Sequence, residues 1–126
     1  MGYRSSVAYR IYFTEQDKDK FITFICEAKD NPDIVRVFDH DFFSVEVNEG
    51  NTEIDFEAVD VKWYDSYPDV IAHLSLLELA KTWRKDGIGV EFKFCRVGED
   101  LEDAEEWCSQ GYDYDAPYIA RSISWG

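Results

Sequence analysis

Two long stretches of this 126-residue chain contain neither lysine nor arginine. One runs from Asp39 to Asp60, the other from Glu99 to Asp115, and each holds eight carboxylates. The rest of the chain is close to electrically balanced, so nearly all of the formal net charge of −14 lies in these two blocks. A surface field of one sign repels nucleic acid and anionic membrane and attracts cationic partners. Basic aromatic platforms for nucleobases are missing as well, which argues against direct DNA or RNA binding.

Other absences narrow the reading further. No apolar run approaches the roughly 18 residues that a membrane-spanning helix needs. The opening MGYRSSVAYR has no hydrophobic centre and no cleavage site, so it does not read as a signal peptide. The three cysteines, Cys26, Cys95 and Cys108, form no CxxC pair and suit neither a disulfide framework nor a zinc site. Each stands among apolar or aromatic neighbours, which predicts buried structural thiols in a reducing cytoplasm. No nucleophile elbow, P-loop, dinucleotide fingerprint, HExxH or EF-hand pattern occurs. These absences point away from an enzyme and from any cofactor or resident metal.

Histidine, the usual general base near neutral pH, occurs only twice. His40, between Asp39 and Asp41, reads as a turn residue, and His73 as an ordinary helix residue. The run Glu99, Asp100, Glu102, Asp103, Glu105, Glu106 has the oxygen ligands that Ca²⁺ or Mg²⁺ require, but consecutive acids point apart, so it reads as a solvated acidic loop.

What is abundant is apolar and aromatic: 45% hydrophobic residues, with aromatics alone at 17%, oppose disorder despite the charge. The length fits one domain, residues 1–126. Val7, Tyr9, Ile11 and Phe13 alternate as a strand. Thr14 offers an N-cap for a helix whose buried face is Phe21, Phe24, Ile25 and Ala28. Asn31-Pro32 ends it. Ile34 to Phe38 fits either a short strand or one helical turn.

Phe43, Val45 and Val47, then Ile54, Phe56 and Ala58, alternate about a turn at Asn48-Glu49-Gly50-Asn51. A two-residue loop there pairs Val45 with Ile54, Glu46 with Glu53 and Phe43 with Phe56, and a one-residue slip destroys the match. The phase shift after Ala58 predicts a bulge. Pro68 opens a second helix that Gly87 stops. Ile88 to Phe94 reads as a strand, Leu101 to Cys108 as a short or frayed helix, and Tyr118 to Trp125 as a last strand. The expected fold is α+β: an antiparallel sheet with two main helices, in ferredoxin-like β-α-β-β-α-β order plus an extra C-terminal strand.

The strand carrying Glu53, Asp55 and Glu57 spaces its carboxylates by roughly 6.6 Å, a ladder to which Glu46 adds across the hairpin. Such an array can stand in for phosphates before a Lys/Arg-lined nucleic-acid site. In the second block, Asp113, Tyr114 and Asp115 interleave acid with an aromatic residue suited to protein contact.

Met1-Gly2-Tyr3-Arg4-Ser5, the run Val61-Lys62-Trp63-Tyr64-Asp65-Ser66-Tyr67-Pro68-Asp69-Val70, and Arg96-Val97-Gly98-Glu99-Asp100 give the chain a resemblance to a group of small bacteriophage and prophage accessory proteins. Glu105-Glu106 and Arg121-Ser122-Ile123 add to it. The resemblance implies a phage accessory role, and small acidic phage proteins often antagonise host CRISPR or restriction systems by imitating DNA.

Two blocks of acid and this resemblance together suggest a non-enzymatic binding protein. It would present Glu46, Glu53, Asp55, Glu57, Glu99, Asp100, Glu102, Asp103, Glu105, Glu106, Asp113, Tyr114 and Asp115 to a Lys/Arg-rich host defence complex. Two alternatives remain open. One is a domain binding a small ligand or nucleotide signal in a cationic pocket made by Arg4, Arg10, Arg96 and Arg121. The other is a carboxylate- and metal-dependent enzyme.

Overall fold

The alternation of Val7, Tyr9, Ile11 and Phe13 builds the central strand of the sheet. The structure, a computed structural model, describes residues 4–40, 42–47, 52–64, 66–100, 103–109, 117–119 and 123–125. Strand β1 (Ser5–Phe13) is followed by a 3-10 segment, Glu15–Lys20, and helix α1 (Phe21–Asp30). A second 3-10 turn, Val35–Asp39, leads to β2 (Phe43–Val47) and β3 (Thr52–Val61). Helix α2 (Pro68–Lys85) then returns the chain to β4 (Val90–Gly98) and β5 (Ala104–Cys108).

β1 pairs antiparallel with β3 on one side and β4 on the other; β2 lies outside β3 and β5 outside β4, giving the order β2-β3-β1-β4-β5. The fold is therefore α+β, with a five-stranded antiparallel sheet and two helices. The five-strand order is not the expected ferredoxin-like one. β5 occupies the segment that reads as a helix in sequence. Glu105 and Glu106 oppose the dipole of a helix end. On the strand they lie opposite Arg96 and Cys95, with Glu105 3.4 Å from Arg96 and Glu106 3.7 Å from Lys93. The expected last strand is instead two short ones, β6 (Pro117–Ile119) and β7 (Ile123–Trp125), paired with each other in a separate sheet.

The hairpin register is the one its pattern requires: Phe43 faces Phe56, Val45 faces Ile54 and Glu46 faces Glu53. The turn itself, residues 48–51, lies outside the described residues. Val7 pairs with Ala58 but Ser5 with Val61, so β3 carries one extra residue. Asp60 absorbs it with a left-handed φ of 59°.

Phe21, Phe24, Ile25 and Ala28 of α1 and Ala72, Leu76, Leu77 and Ala80 of α2 pack on the β1 face that carries Tyr9 and Ile11. Phe13, Phe24 and Trp83 close the core with edge-to-face rings. Thr14 makes no side-chain cap bond. Asp17 instead accepts the Gly89 N–H at 2.6 Å, which ties the helix entry to the approach of β4. Gly87 takes the left-handed position after α2, with φ of 95°.

The opposite face of the sheet is not open to solvent throughout. Ala8 and Cys95 point to it and are completely buried. The helices fill the other face, so the β6–β7 hairpin, which lies against β1, β4 and β5, covers this one. Of the three expected buried thiols only Cys95 is buried; Cys26 and Cys108 are exposed, because they fall on the outward side of α1 and on the edge strand β5.

Candidate functional site

The Glu53–Asp55–Glu57 ladder exists, but most of its charge is turned inward. Glu53 is only 6% exposed. Arg10, directly opposite on β1, binds Asp55 at 2.5 Å and lies 3.6 Å from Glu53. Burial, then the neighbouring carboxylates of Asp55 and Glu46, push the Glu53 carboxyl above its ordinary pKa. Glu57 is half-buried, and Glu46, on the edge strand, is exposed. This ladder is an internal ion cluster with an exposed fringe.

The exposed carboxylates gather elsewhere, where the two acidic blocks of the sequence meet. The Arg4 backbone N–H donates to Glu99 at 2.8 Å, and its guanidinium donates to the Asp60 carbonyl at 2.9 Å. Asp60, Glu99 and Asp100 are exposed at this end of the sheet. Asp103 and Glu105 stand beside them, held by Arg96 at 2.8 and 3.4 Å. Glu106, next on β5, falls on the other face of the strand beside Cys95 and Lys93 and is not part of this group. Glu102, Asp113, Tyr114 and Asp115 lie outside the described residues.

The arginines do not converge into a cationic pocket. Arg10 is committed to Asp55, Arg96 to Asp103 and Arg4 to Asp60, while Arg121 lies outside the described residues. Among the described residues no three His, Cys, Asp or Glu side chains are grouped to hold a metal ion.

A pocket of about 540 Å³ adjoins the acidic end. Phe42, Phe56, Trp63 and Tyr67 give it aromatic walls, and Asp39, Glu57 and Asp69 put carboxylates around it. Lys62 also borders it. Val59 and Val61 line it, and Asp60 sits between them at the bulge. Trp63 separates it from a second hollow, of about 430 Å³, that contains Arg96, Asp103 and Glu105.

Both histidines belong to this pocket. His73 continues the buried α2 stripe of Val70, Leu76, Leu77 and Ala80 and is itself fully buried. Its ring lies 4.1 Å from that of Phe56 and 5.7 Å from that of Trp63. Tyr9 Oη is 2.6 Å from His73 Nδ1, His73 Nε2 is 2.7 Å from His40 Nδ1, and His40 Nε2 is 3.3 Å from Asp69 Oδ1.

The direction of this chain follows from its ends. An ionised carboxylate only accepts, so His40 Nε2–H donates to Asp69. In the tautomer in which His40 accepts at Nδ1, His73 Nε2–H donates to it, which leaves His73 Nδ1 to accept from the Tyr9 hydroxyl. Burial, with His40 as a second cause, pulls the His73 pKa down to about 3. Burial also raises the Tyr9 hydroxyl well above its ordinary value. Both rings of the inner pair are thereby kept neutral, and every polar atom of the buried pair is satisfied.

Sequence reading took His73 for an ordinary helix residue and His40 for a turn residue. His40 does follow a 3-10 turn, but its ring is joined to His73. The signal was present in the spacing: His73 falls three residues after Val70 and three before Leu76, on the apolar stripe, where a lone polar ring needs a buried partner. No protein-family model, curated protein or solved structure matches this chain.

Proposed function

We propose that this is a non-enzymatic, bacteriophage-encoded acidic binding protein that acts in the host cytoplasm without a cofactor. Its target is a Lys/Arg-rich, nucleic-acid-binding component of a host defence system, CRISPR or restriction in type, which it blocks by offering carboxylates in place of phosphates. The observation that supports the reading is the meeting of the two acidic blocks at one end of the sheet, around Asp60, Glu99 and Asp100. Arg10 and Arg84 are drawn into pairs away from that corner and Arg96 is held by Asp103 and Glu105, while Arg4 stands within it and offsets part of its charge. Nucleic-acid sites recognise rows of negative charge largely by counterion release, and a fixed carboxylate surface competes on the same terms.

The test is binding to purified CRISPR and restriction complexes at low and at moderate salt, with duplex DNA as competitor. Binding should weaken with salt and be displaced by DNA. A Glu99→Lys, Asp100→Lys double variant, altered only at exposed positions, should lose binding; it also gives up the bond from the Arg4 N–H, so a slightly lower melting temperature is expected and retention of the fold is checked by circular dichroism. Undiminished inhibition by that variant sinks the proposal.

A further inference from the structure

We infer that the pocket between Trp63 and Tyr67 is the seat of an arginine side chain from the partner protein. This rests on the binding reading above and names its anchor. The walls are flat and aromatic, and the charged groups around them are mostly carboxylates: Asp39, Glu57 and Asp69 against Lys62. Aromatic faces with an acidic rim favour a cation that carries a planar or apolar body, and they disfavour phosphates and nucleotides. Arginine meets both demands, because guanidinium stacks on rings and forks onto carboxylates, whereas lysine offers a compact, strongly hydrated charge. Asp69 is shared with Arg36 at 3.2 Å and His40 at 3.3 Å, so Asp39 and Glu57 supply the rim's remaining carboxylates.

Three further observations converge on the same pocket. Its histidines are held in place by the Tyr9–His73–His40–Asp69 chain, which ends on a carboxylate at the rim. Two large apolar side chains at its mouth are left in water, Phe42 at 81% exposure and Val59 at 69%. Phe42, one of the two described non-glycine residues with positive φ, at 63°, lines this mouth. Backbone held in such a conformation at a cavity rim is characteristic of ligand clamps. An incoming arginine would cover Phe42 and Val59 with its partner's surface and place its charge beside the acidic corner, so anchor and field act on one face.

The experiment is an NMR titration of the intact chain, following the indole signal of Trp63 and the ring signals of His40 and His73. The probes are three blocked tripeptides with arginine, citrulline or norleucine at the centre. The arginine peptide should move all three sets of signals. Citrulline, equal in shape but uncharged, should bind about tenfold more weakly, and norleucine should not register. Val59→Arg, at a position already in water, places a guanidinium at the mouth and should weaken the arginine peptide by about the same factor. Equal shifts from arginine and citrulline overturn the inference. So do Trp63, His40 and His73 signals that stay still with the arginine peptide, or a Val59→Arg variant that binds as the parent does. If a defence complex is still bound in a salt-sensitive way while the arginine peptide misses the pocket, the anchor falls and the acidic-surface reading stands. If the complex is not bound either, both fall.

Discussion

Acidification should destabilise this protein through one ring. His73 is fully buried, accepts the Tyr9 hydroxyl at Nδ1 and donates to His40 from Nε2. A proton on Nδ1 would remove the only acceptor that the Tyr9 hydroxyl has there. Burial, then the neighbouring His40, depresses the His73 pKa from 6.5 to about 3. In the unfolded chain the same ring takes up a proton below about 6.5, so the unfolded state binds more protons throughout the interval between the two values. Stability from this residue is complete above pH 6.5 and is lost progressively as pH falls toward 3. Each unit of that window is worth about 1.4 kcal/mol, so moving from pH 7 to pH 5 should cost about 2 kcal/mol from His73 alone. For a domain whose total is of order 5–15 kcal/mol, that is a large share.

Urea unfolding at pH 7, 6 and 5 measures it, with His73→Gln as the control. Glutamine keeps an acceptor for Tyr9 and a donor for His40 but does not titrate. The variant should be weaker at pH 7, because it forfeits the ring contacts with Phe56 and Trp63. Its stability should then fall less steeply with acid, by close to 1.4 kcal/mol per unit below pH 6. The carboxylates titrate in both proteins and cancel in the comparison. Parallel pH profiles for the two proteins would refute the buried, neutral assignment of His73.

Three other outcomes follow from the same geometry. Arg10→Met should cost about 3 kcal/mol, since it strands Asp55 and Glu53 together on a covered part of the sheet; the deficit should shrink as pH falls toward 4 in chemical denaturation, because the Glu53 carboxyl, raised by burial, can then be protonated. Gly89→Ala should destabilise by about 1–3 kcal/mol, seen as a lower melting temperature, because its new methyl carbon would meet Thr14 Oγ1 at 2.2 Å and Asp17 Oδ2 at 2.9 Å. A disulfide thiol reagent at pH 8 should label Cys26 and Cys108 quickly and Cys95 only on unfolding, since burial, with Glu106 beside it, pushes the Cys95 thiol up to about 12; equal rates at all three would contradict the buried position of Cys95.

Local pattern carried a reader through most of the fold and stopped at contacts between distant segments. The α1 stripe, the β2–β3 register, the bulge after Ala58 and the proline start of α2 are short-range consequences of periodicity and turn chemistry, and all four stand in the structure. β5 was misread because Ala104–Cys108 is acidic and favours a strand only where Lys93 and Arg96 wait across the ladder. The charge ladder shows the same limit from the other side. Alternation placed Glu53, Asp55 and Glu57 on one face correctly, but nothing in their spacing reveals that Arg10, over forty residues earlier, lies opposite Asp55. A carboxylate count thus overstates the surface field wherever the sheet brings a base alongside, and the exposed charge must be sought where strands end. Asp60, Glu99 and Asp100 occupy such an end, and the pocket opens beside them. The two histidines, each bland in its own neighbourhood, meet there because α2 crosses the sheet above Tyr9 and Phe56. Two polar rings on one apolar face can remain only as a pair, each supplying what the other lacks, and the outer end of that pair is bound to close on a surface carboxylate, which Asp69 provides.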